Sequence, residues 1–399
     1  MNADGSVRVG FVLPAVYWLG GINYLRNLFA AIRALPGSTI TPVIFTGRRQ
    51  ADALSDFPEL EVVATSMLDE WKSPAWFVRR VIAKVASQDV LLRRLLQHHG
   101  VDVLSHSFHL GRQDVVKTIG WIPDFQHVHL PEFFTPGERS HRDRDFMSIC
   151  AVCDKVVVSS ACARADLLSF SPEHAHKAEV LSFVASPLPL ADAASLPDLR
   201  TLYSFDGPYF LLPNQFWVHK NHRVVICALQ MLKRQKKPFL VLATGSPTDY
   251  RDPSFFSSLM QYAAECDVLD CFRVLGQIPF DHLAGLMRHA NAFINPSRFE
   301  GWSTTVEEAK SMGKQIVLSD IPVHREQAPE RGFFFPPENA DAMADAMVAA
   351  YNGFDSEQDA AMQEEAKARF PQRQREFGEA YRRIVSSLYT AESRSAPGK

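Results

Sequence analysis

The stretch Ala292-Phe-Ile-Asn-Pro-Ser-Arg-Phe-Glu300-Gly-Trp-Ser-Thr-Thr-Val-Glu-Glu308-Ala-Lys-Ser-Met-Gly313-Lys-Gln-Ile-Val-Leu-Ser319 decides the fold of this chain. Apolar runs at its two ends, 292–295 and 315–319, predict short strands, and the segment between them predicts a helix that ends at Gly313. Two strands joined through a helix form a parallel βαβ unit, and such sheets carry helices on both faces. The stretch therefore indicates an α/β protein.

The same alternation of strands and helices runs along the rest of the chain. Strands are expected at 7–14, 41–45, 60–64, 101–104, 155–159, 179–184, 209–212, 239–243, 272–275, 292–295 and 315–319. The segment 185–208 contains several prolines and no sustained period, which predicts a linker. We therefore expect two Rossmann-like, doubly wound parallel-sheet domains, at 1–190 and 205–370, facing each other across a cleft.

Length and composition limit the class of protein. The 399 residues exceed the size at which a single hydrophobic core stops growing, and the net charge of −3 gives no global reason to expect a nucleic acid partner. The first residues lack the pattern of a signal peptide, and no apolar run approaches the ~20 residues that span a bilayer. Cys150 and Cys153 form a C-x-x-C without a second pair at zinc spacing. We expect a cytoplasmic protein without a metal site.

Residues 76–96 predict one amphipathic helix with a basic side. Its cationic residues are Arg79, Arg80, Lys84, Arg93 and Arg94. A basic amphipathic helix can lie on an anionic membrane, which would place the protein peripherally at the inner face of that membrane. The alternative is a helix packed on the sheet with a solvated basic face. The sequence leaves both interpretations open.

The loop and helix start inside the opening stretch form the first candidate site. Thr304, with Glu307 three residues on, matches a capping box, so Thr304 is the expected N-cap. The helix start offers unpaired N–H groups and the positive end of a dipole, which attract phosphate. Glu300 and Glu308 flank it, and carboxylates accept hydrogen bonds from sugar hydroxyls. The pattern indicates a nucleotide-sugar site. The alternative is that Glu307 and Glu308 only complement the helix dipole.

Two further loops and a glycine pair are candidate binding sites. In Gln215-Phe-Trp-Val-His219-Lys220, which follows a predicted strand and precedes a helix, the lysine can neutralise a diphosphate. Loop 121–134 is rich in polar and aromatic residues, among them Asp124 and His127, and is typical of a binding loop. Gly20-Gly21, between a strand and a helix, fits either a close approach of the backbone to a ligand or a tight turn.

Together these residues resemble the retaining glycosyltransferases of family 4, among the glycosyl transferases group 1, which have the GT-B fold. The signature of that family is a glutamate, seven residues and a second glutamate that opens a helix, and Glu300 and Glu308 occupy these positions. The resemblance covers most of the chain and is weakest in residues 50–100. It implies a hexosyltransferase that moves a hexose-type sugar from a UDP- or GDP-linked donor to a glycan or lipid-linked acceptor, in bacterial surface polysaccharide synthesis.

Carried over position by position, the resemblance implies roles for single residues. Glu300 would contact the donor sugar, Glu308 would bind the ribose hydroxyls, and Lys220 would bind the diphosphate. The other positions implied to bind the nucleotide sugar are Gly20, Gly21, Gln215, His219, Gly276, Gln277, Ile278, Ser303, Thr304 and Thr305, with Gly276-Gln277-Ile278 as the base-binding turn. A C-terminal helix, 372–390, would pack back onto the first, acceptor-binding domain.

Two positions depart from the family pattern around the implied donor site. Gln215 stands where the family has an arginine, so His219 or a nearby arginine would supply the missing charge. Pro123 stands where many members place a histidine against the donor sugar, and the role would pass to Asp124 or His127.

A third departure is Ser303-Thr304-Thr305, which replaces the usual Gly-Leu-Pro. The replacement would keep the backbone donors and add hydroxyls.

The implied mechanism is front-face displacement with retention, in which the leaving diphosphate accepts the proton of the acceptor hydroxyl. Electrostatic stabilisation would make the main contribution, without a metal, another cofactor or a protein nucleophile. Two other functions stay open. One is a GT-B-type epimerase that acts on the nucleotide sugar itself. The other is a non-catalytic nucleotide-sugar-binding scaffold, which Gln215 and Pro123 would suit.

Overall fold

The structure is a computed structural model that describes residues 6–13, 19–49, 60–69, 73–107, 110–187 and 195–390. These residues form two compact units. The first unit contains the described residues up to Phe125, then Pro136–Phe183, and those from Gln372 onward, whereas the second contains Gln126–Thr135 and Val184–Pro371. Segment 126–135 therefore belongs to the second unit, although both of its flanks belong to the first.

Strands and helices alternate through both units. The strands are β1 (Val7–Val12), β2 (Ile40–Thr46), β3 (Glu61–Ala64), β4 (Val103–Ser105), β5 (Lys117–Trp121), β6 (Lys155–Val158), β7 (Ala178–Val180), β8 (Tyr209–Pro213), β9 (Leu240–Thr244), β10 (Phe272–Gly276), β11 (Ala292–Asn295), β12 (Ile316–Ser319) and β13 (Gly332–Phe335). The helices are α1 (Leu19–Arg33), α2 (Pro74–Ala86), α3 (Val90–His98), α4 (Gln126–His129), α5 (Pro136–Val152), α6 (Ala161–Phe170), α7 (Leu196–Tyr203), α8 (His222–Arg234), α9 (Phe255–Glu265), α10 (Phe280–His289), α11 (Thr304–Ser311), α12 (Pro322–Gln327), α13 (Ala340–Asn352) and α14 (Ser356–Thr390).

The first unit is built on a seven-stranded parallel sheet with the order β3-β2-β1-β4-β5-β6-β7. Val9 in β1 pairs with Pro42 on one side and with Val103 on the other. The side chains of Val9 and Phe11 are buried, as expected for a strand that has helices on both faces. From β1, the strands β2 and β3 follow toward one edge of the sheet and β4 to β7 follow toward the other, which is a doubly wound arrangement.

The second unit is built on a six-stranded parallel sheet with the order β10-β9-β8-β11-β12-β13. The side chains of β8, β11 and β12 are almost completely buried, because these strands lie in the centre of the sheet. The order reverses between β8 and β11. In open parallel sheets, ligands bind beyond the carboxyl ends of the strands at such a reversal.

Helix α14 contributes to both units, with residues up to Pro371 in the second and residues from Gln372 in the first. Pro371 lies inside this helix, which continues through it. An internal proline costs about 3 kcal/mol or more, and close anchoring on either side offsets this cost. In the first unit, a Cβ on Gly378 would lie 2.5 Å from the carbonyl oxygen of Ala31. In the second, Asp359 forms ion pairs with Lys314 and Arg331.

The expectation of two Rossmann-like parallel-sheet domains is confirmed, and three local expectations change. β5 and β13 were not predicted as strands. The single helix expected at 76–96 is two helices, because Ser87 ends α2 in a left-handed conformation and the Asp89 side chain caps α3 by accepting from the N–H of Leu92. The expected end of the first strand, at Pro14, lies outside the described residues. Among the helices described, none is long and apolar enough to cross a membrane.

Candidate functional site

The reversal of strand order in the second unit brings two candidate residues together. Lys220 lies in the loop that follows β8, and Glu300 lies in the loop that follows β11. The Nζ of Lys220 is 2.6 Å from Oε1 of Glu300. Both side chains are mostly buried, with 14% and 10% of their surface exposed. The family resemblance assigns Lys220 to the diphosphate and Glu300 to the sugar, whereas in this structure the two side chains pair with each other.

The pair sets the charge state of the glutamate. Burial raises the pKa of the Glu300 carboxyl, but the ammonium of Lys220 and the hydroxyl of Ser297 together lower it by more, so the pKa lies below its ordinary value. The Ser297 hydroxyl donates to the same oxygen, Oε1, at 2.7 Å. Glu300 is therefore ionised at neutral pH, and one of its oxygens is already occupied by two donors.

Buried amides fix the two loops relative to each other. The side-chain oxygen of Asn295, the last residue of β11, lies 2.7 Å from the Ser297 hydroxyl, and its side-chain nitrogen donates to the Ser303 hydroxyl at 2.6 Å. Asn214, which follows β8, accepts from the Thr305 hydroxyl at 3.0 Å. These side chains are almost fully buried, and buried polar groups require such partners. The network places the Glu300 loop and the start of α11 beside the loop that carries Lys220.

The N-cap of α11 is Ser303, so the prediction of Thr304 was wrong. The Ser303 hydroxyl accepts from the N–H of Val306 at 3.3 Å. The Gln327 side chain of α12 accepts from the N–H of Ser303 at 3.1 Å, which is the bond that a capping-box acid would make. Glu307 instead accepts from Gln327 and from Lys310, at 3.0 and 3.1 Å. Its role is to hold α11 and α12 together.

This arrangement changes which groups at the helix start can reach a ligand. The N–H and hydroxyl of Ser303 and the hydroxyl of Thr305 are used within the protein. In the part of the chain that the structure describes, the N–H groups of Thr304 and Thr305 have no acceptor. The hydroxyls that Ser303 and Thr305 add are therefore engaged within the protein in this structure. The two N–H groups and the helix dipole together make an anion-binding position.

Glu308, in the second turn of α11, has different surroundings from Glu300. Burial raises the pKa of its carboxyl to about 7. Within the described residues, no donor or cation pairs with this carboxyl. A partly buried acid without an internal partner gains most from a ligand that donates hydrogen bonds to it. The hydroxyls of a sugar or a ribose are such donors.

The neighbouring loop does not replace the missing arginine with a free cation. Oε1 of Gln215 accepts from the backbone N–H of Ser246 at 2.7 Å. Nδ1 of His219 accepts from the Arg251 guanidinium at 3.2 Å, and burial and the nearby positive charges hold the pKa of His219 well below its ordinary value. Arg251 itself forms an ion pair with the buried Asp249. His219 is therefore neutral, and the charge of Arg251 is balanced.

Arg251 also holds segment 126–135 on the second unit. Its guanidinium donates to Oε1 of Gln126 at 3.0 Å and lies 5.6 Å from the centre of the Phe134 ring. The ring of His129 stacks on Phe299, with centroids 5.1 Å apart. The residue before Glu300 thus contacts the last residue of α4. His127 is buried within it, in α4.

The remaining predicted residues are distributed over both units. Asp124 lies in the first unit, 3.9 Å from Arg142. Gly20 and Gly21 lie in the first turn of α1, also in the first unit, rather than in a loop before it. In the second unit, residues 276–278 follow β10, where Gly276 has a φ of +72° and its carbonyl accepts from Gly245 at 2.9 Å.

Sequence reasoning missed several residues that position the site. They are Asn214, Asp249, Arg251, Asn295, Ser297 and Gln327. For Asn214 and Asn295 a signal was present, because both are amides at the carboxyl end of an apolar strand, where a buried amide requires specific partners. Asp249, Arg251 and Gln327 lie in segments without a recognisable motif, and their contacts depend on the tertiary fold.

Comparisons with solved structures find the same fold. Over 96% of its length the chain matches the fold of the Anabaena protein HepE solved with UDP and glucose, with a TM-score of 0.67, 14% identity and all of that chain covered. It matches a glycosyltransferase from Rickettsia africae with a TM-score of 0.66 and 18% identity, covering 95% of this chain and 99% of the other. These matches show a shared fold, the two-domain GT-B fold of glycosyltransferases.

The sequence match is narrower and falls on the second unit. The family model of glycosyl transferases group 1 matches residues 204–369, which include Lys220, Glu300 and Glu308. Among curated proteins, the O-antigen chain mannosyltransferase RfbU of Salmonella typhimurium is 26% identical over 131 residues. That segment is 33% of this chain and 35% of the relative, so the match spans about a third of the relative's length.

Proposed function

We propose that this chain is a retaining glycosyltransferase that moves a hexose-type sugar from a nucleoside-diphosphate sugar to a glycan or lipid-linked acceptor. The observation that carries the proposal is the Lys220–Glu300 pair at the strand reversal of the second unit, beside the two unpaired N–H groups of α11. The match of the group 1 family model to the same residues supports it. The first unit would bind the acceptor.

The nucleotide-sugar donor would lie between the start of α11 and Lys220. The N–H groups of Thr304 and Thr305 and the ammonium of Lys220 would bind the diphosphate, whose charge grows as the glycosidic bond breaks. Glu308 would accept hydrogen bonds from the ribose hydroxyls. Because Lys220 is already paired, the diphosphate would take over its ammonium and release the Glu300 carboxylate toward the donor sugar.

The reaction we propose is displacement on one face of the sugar, so that the anomeric configuration is retained. The bond between the anomeric carbon and the diphosphate oxygen breaks, and the acceptor oxygen bonds to the same carbon. The proton of the acceptor hydroxyl passes to the leaving diphosphate. Glu300 would stabilise the positive charge that develops on the sugar ring, and no protein group would become covalently attached.

A mannose donor and an O-antigen-type acceptor are the first choices to test, given the similarity to RfbU. Labelled UDP- and GDP-sugars are incubated with the protein and scored for transfer, hydrolysis and epimer formation. We expect transfer that is insensitive to EDTA, and NMR of the product should show the donor's anomeric configuration. Epimer formation without transfer, or binding without any reaction, would replace this proposal with an epimerase or a non-catalytic binder.

Two variants separate the roles of the pair. Glu300→Gln should reduce turnover by at least about a hundredfold while nucleoside diphosphates bind as tightly as before or more tightly, because Lys220 loses its internal partner. Lys220→Ala should weaken the binding of nucleoside diphosphates more than the binding of nucleosides. Substantial transfer activity in Glu300→Gln would show that Glu300 does not act at the reacting centre. Equally weakened binding of nucleosides and nucleoside diphosphates in Lys220→Ala would show that Lys220 does not bind the diphosphate.

A further inference from the structure

Helix α2 of the first unit exposes an unusual number of large apolar side chains. These are Phe77, Val78, Val81, Ile82 and Val85, with 64%, 50%, 46%, 37% and 83% of their surface exposed. Single exposed apolar residues are common on proteins, but five on one short helix form a contiguous patch. We call this patch the α2 face.

The α2 face is one side of the helix, and the opposite side is anchored. At 100° per residue the five side chains cover an arc of about 140°, which is a continuous apolar stripe. On the other side, Arg79 is buried and pairs with Asp89 at 2.7 Å. The Arg79 guanidinium also donates to the carbonyl of Met67, and Ser73 caps the helix. The exposure of the stripe therefore belongs to a well-anchored helix.

Among the described residues of α2 and α3, the charges beside the α2 face have one sign. Arg80 and Lys84 are exposed along one edge of the stripe, and Arg94 of α3 is exposed as well. The acidic residue between Pro74 and His98 is Asp89, and Arg79 neutralises it. Arg79 is therefore not part of the basic face that the sequence predicts for this helix. What is left is an apolar stripe bordered by unbalanced positive charge.

We infer that α2 lies in the plane of an anionic lipid surface, with the α2 face in the acyl boundary and Arg80 and Lys84 at the headgroups. Interfacial helices combine an apolar stripe of this kind with lysine and arginine at its edge, whose long side chains reach the headgroups. A symmetric contact between two copies of the chain would bring the same cations together, with no balancing acid among the described residues of α2 and α3, which disfavours a dimer. The inference does not depend on the proposed activity.

The experiment measures binding of the full chain to vesicles by sedimentation. Vesicles of phosphatidylglycerol and phosphatidylcholine in equal amounts are compared with pure phosphatidylcholine. We expect binding to the anionic vesicles that weakens with added salt. The triple variant Phe77→Ser/Val81→Ser/Val85→Ser should bind at least about tenfold more weakly, since three buried apolar side chains are lost. Arg80→Gln/Lys84→Gln should lose about fivefold per residue on anionic vesicles only.

Matched controls keep the result specific. Val115→Ser, in the same unit, and Phe280→Ser, in the second, remove exposed apolar side chains of 54% and 62% exposure and should bind vesicles like the unaltered protein. Circular dichroism checks that each variant is folded. Equal vesicle binding by the triple variant and the unaltered protein would overturn the inference. So would a triple variant that changes only the oligomeric state in analytical ultracentrifugation, which would make the α2 face a protein interface.

Discussion

Replacing Lys220 by methionine tests the pairing with Glu300 in the absence of any ligand. The change keeps most of the side-chain volume and removes the charge, so it leaves a mostly buried carboxylate without its cation. Removing one partner of a buried ion pair costs about 3–5 kcal/mol. With 14% and 10% of the two side chains exposed, solvent recovers part of this, and we expect a loss of about 2–4 kcal/mol at pH 7.5.

The dependence of this loss on pH has a definite sign. In the unaltered protein the pKa of Glu300 is below its ordinary value, so the pair stabilises above the unfolded-state pKa and this stability is lost as pH falls through the folded-state pKa. Without Lys220, the effect of burial prevails and raises the pKa, so ionised Glu300 destabilises the variant until it is protonated. The gap between the two proteins should therefore be largest above about pH 6 and shrink toward pH 4.

Differential scanning calorimetry at several pH values measures the effect. A loss of about 2–4 kcal/mol lowers the unfolding midpoint of a unit of this size by about 5–15 °C. The double variant Lys220→Met/Glu300→Gln has no buried charge left and should return to within about 1 kcal/mol of the unaltered protein. A double variant as unstable as the single one, or a gap that is the same at pH 4 and pH 7.5, would refute the assignment of the loss to an unpaired carboxylate.

Three further expectations concern Glu308, Arg251 and Gly378. Because the pKa of Glu308 is about 7, affinity for the best-binding nucleotide sugar should fall about tenfold per pH unit below pH 7 and level off above it, and calorimetric titration should find no such slope in Glu308→Gln. Arg251→Met should speed amide hydrogen exchange in segment 126–135, lowering its opening free energy by about 1–3 kcal/mol, and unchanged exchange there would separate Arg251 from that segment. Gly378→Ala should lower the unfolding midpoint despite the higher helix propensity of alanine, because its Cβ would overlap the carbonyl of Ala31, and a raised midpoint would show that α14 can shift.

Much of the fold could be predicted because the signals for it are local. Apolar runs in regular alternation with helical segments gave most strands of both sheets, often within one or two residues of their ends. β13 was missed, since its sequence Gly332-Phe-Phe-Phe335 is short, begins with glycine and lies at the edge of the sheet. Its position in the sheet depends on its pairing with β12, which no local sequence pattern indicates.

The site was predictable at the level of loops and less so at the level of atoms. Lys220 and Glu300 could be chosen because each follows a strand, although their mutual pairing could not be foreseen. Ser303-Thr304-Thr305 offers three hydroxyls that can each cap a helix, and the choice of Ser303 depends on Gln327, which is 24 residues away. The charge of Arg251 could not be judged without Asp249 and His219 around it.

The course of α14 has a consequence for the order in which the protein can fold during synthesis. The side chains of Phe377, Tyr381, Ile384, Val385 and Leu388 are buried in the first unit, although they are translated after the whole of the second unit. The part of the first unit's core that these side chains complete therefore stays open until this part of α14 has been synthesised. Apolar surface that is exposed in this way during synthesis is prone to misassembly and is the kind of surface that chaperones protect.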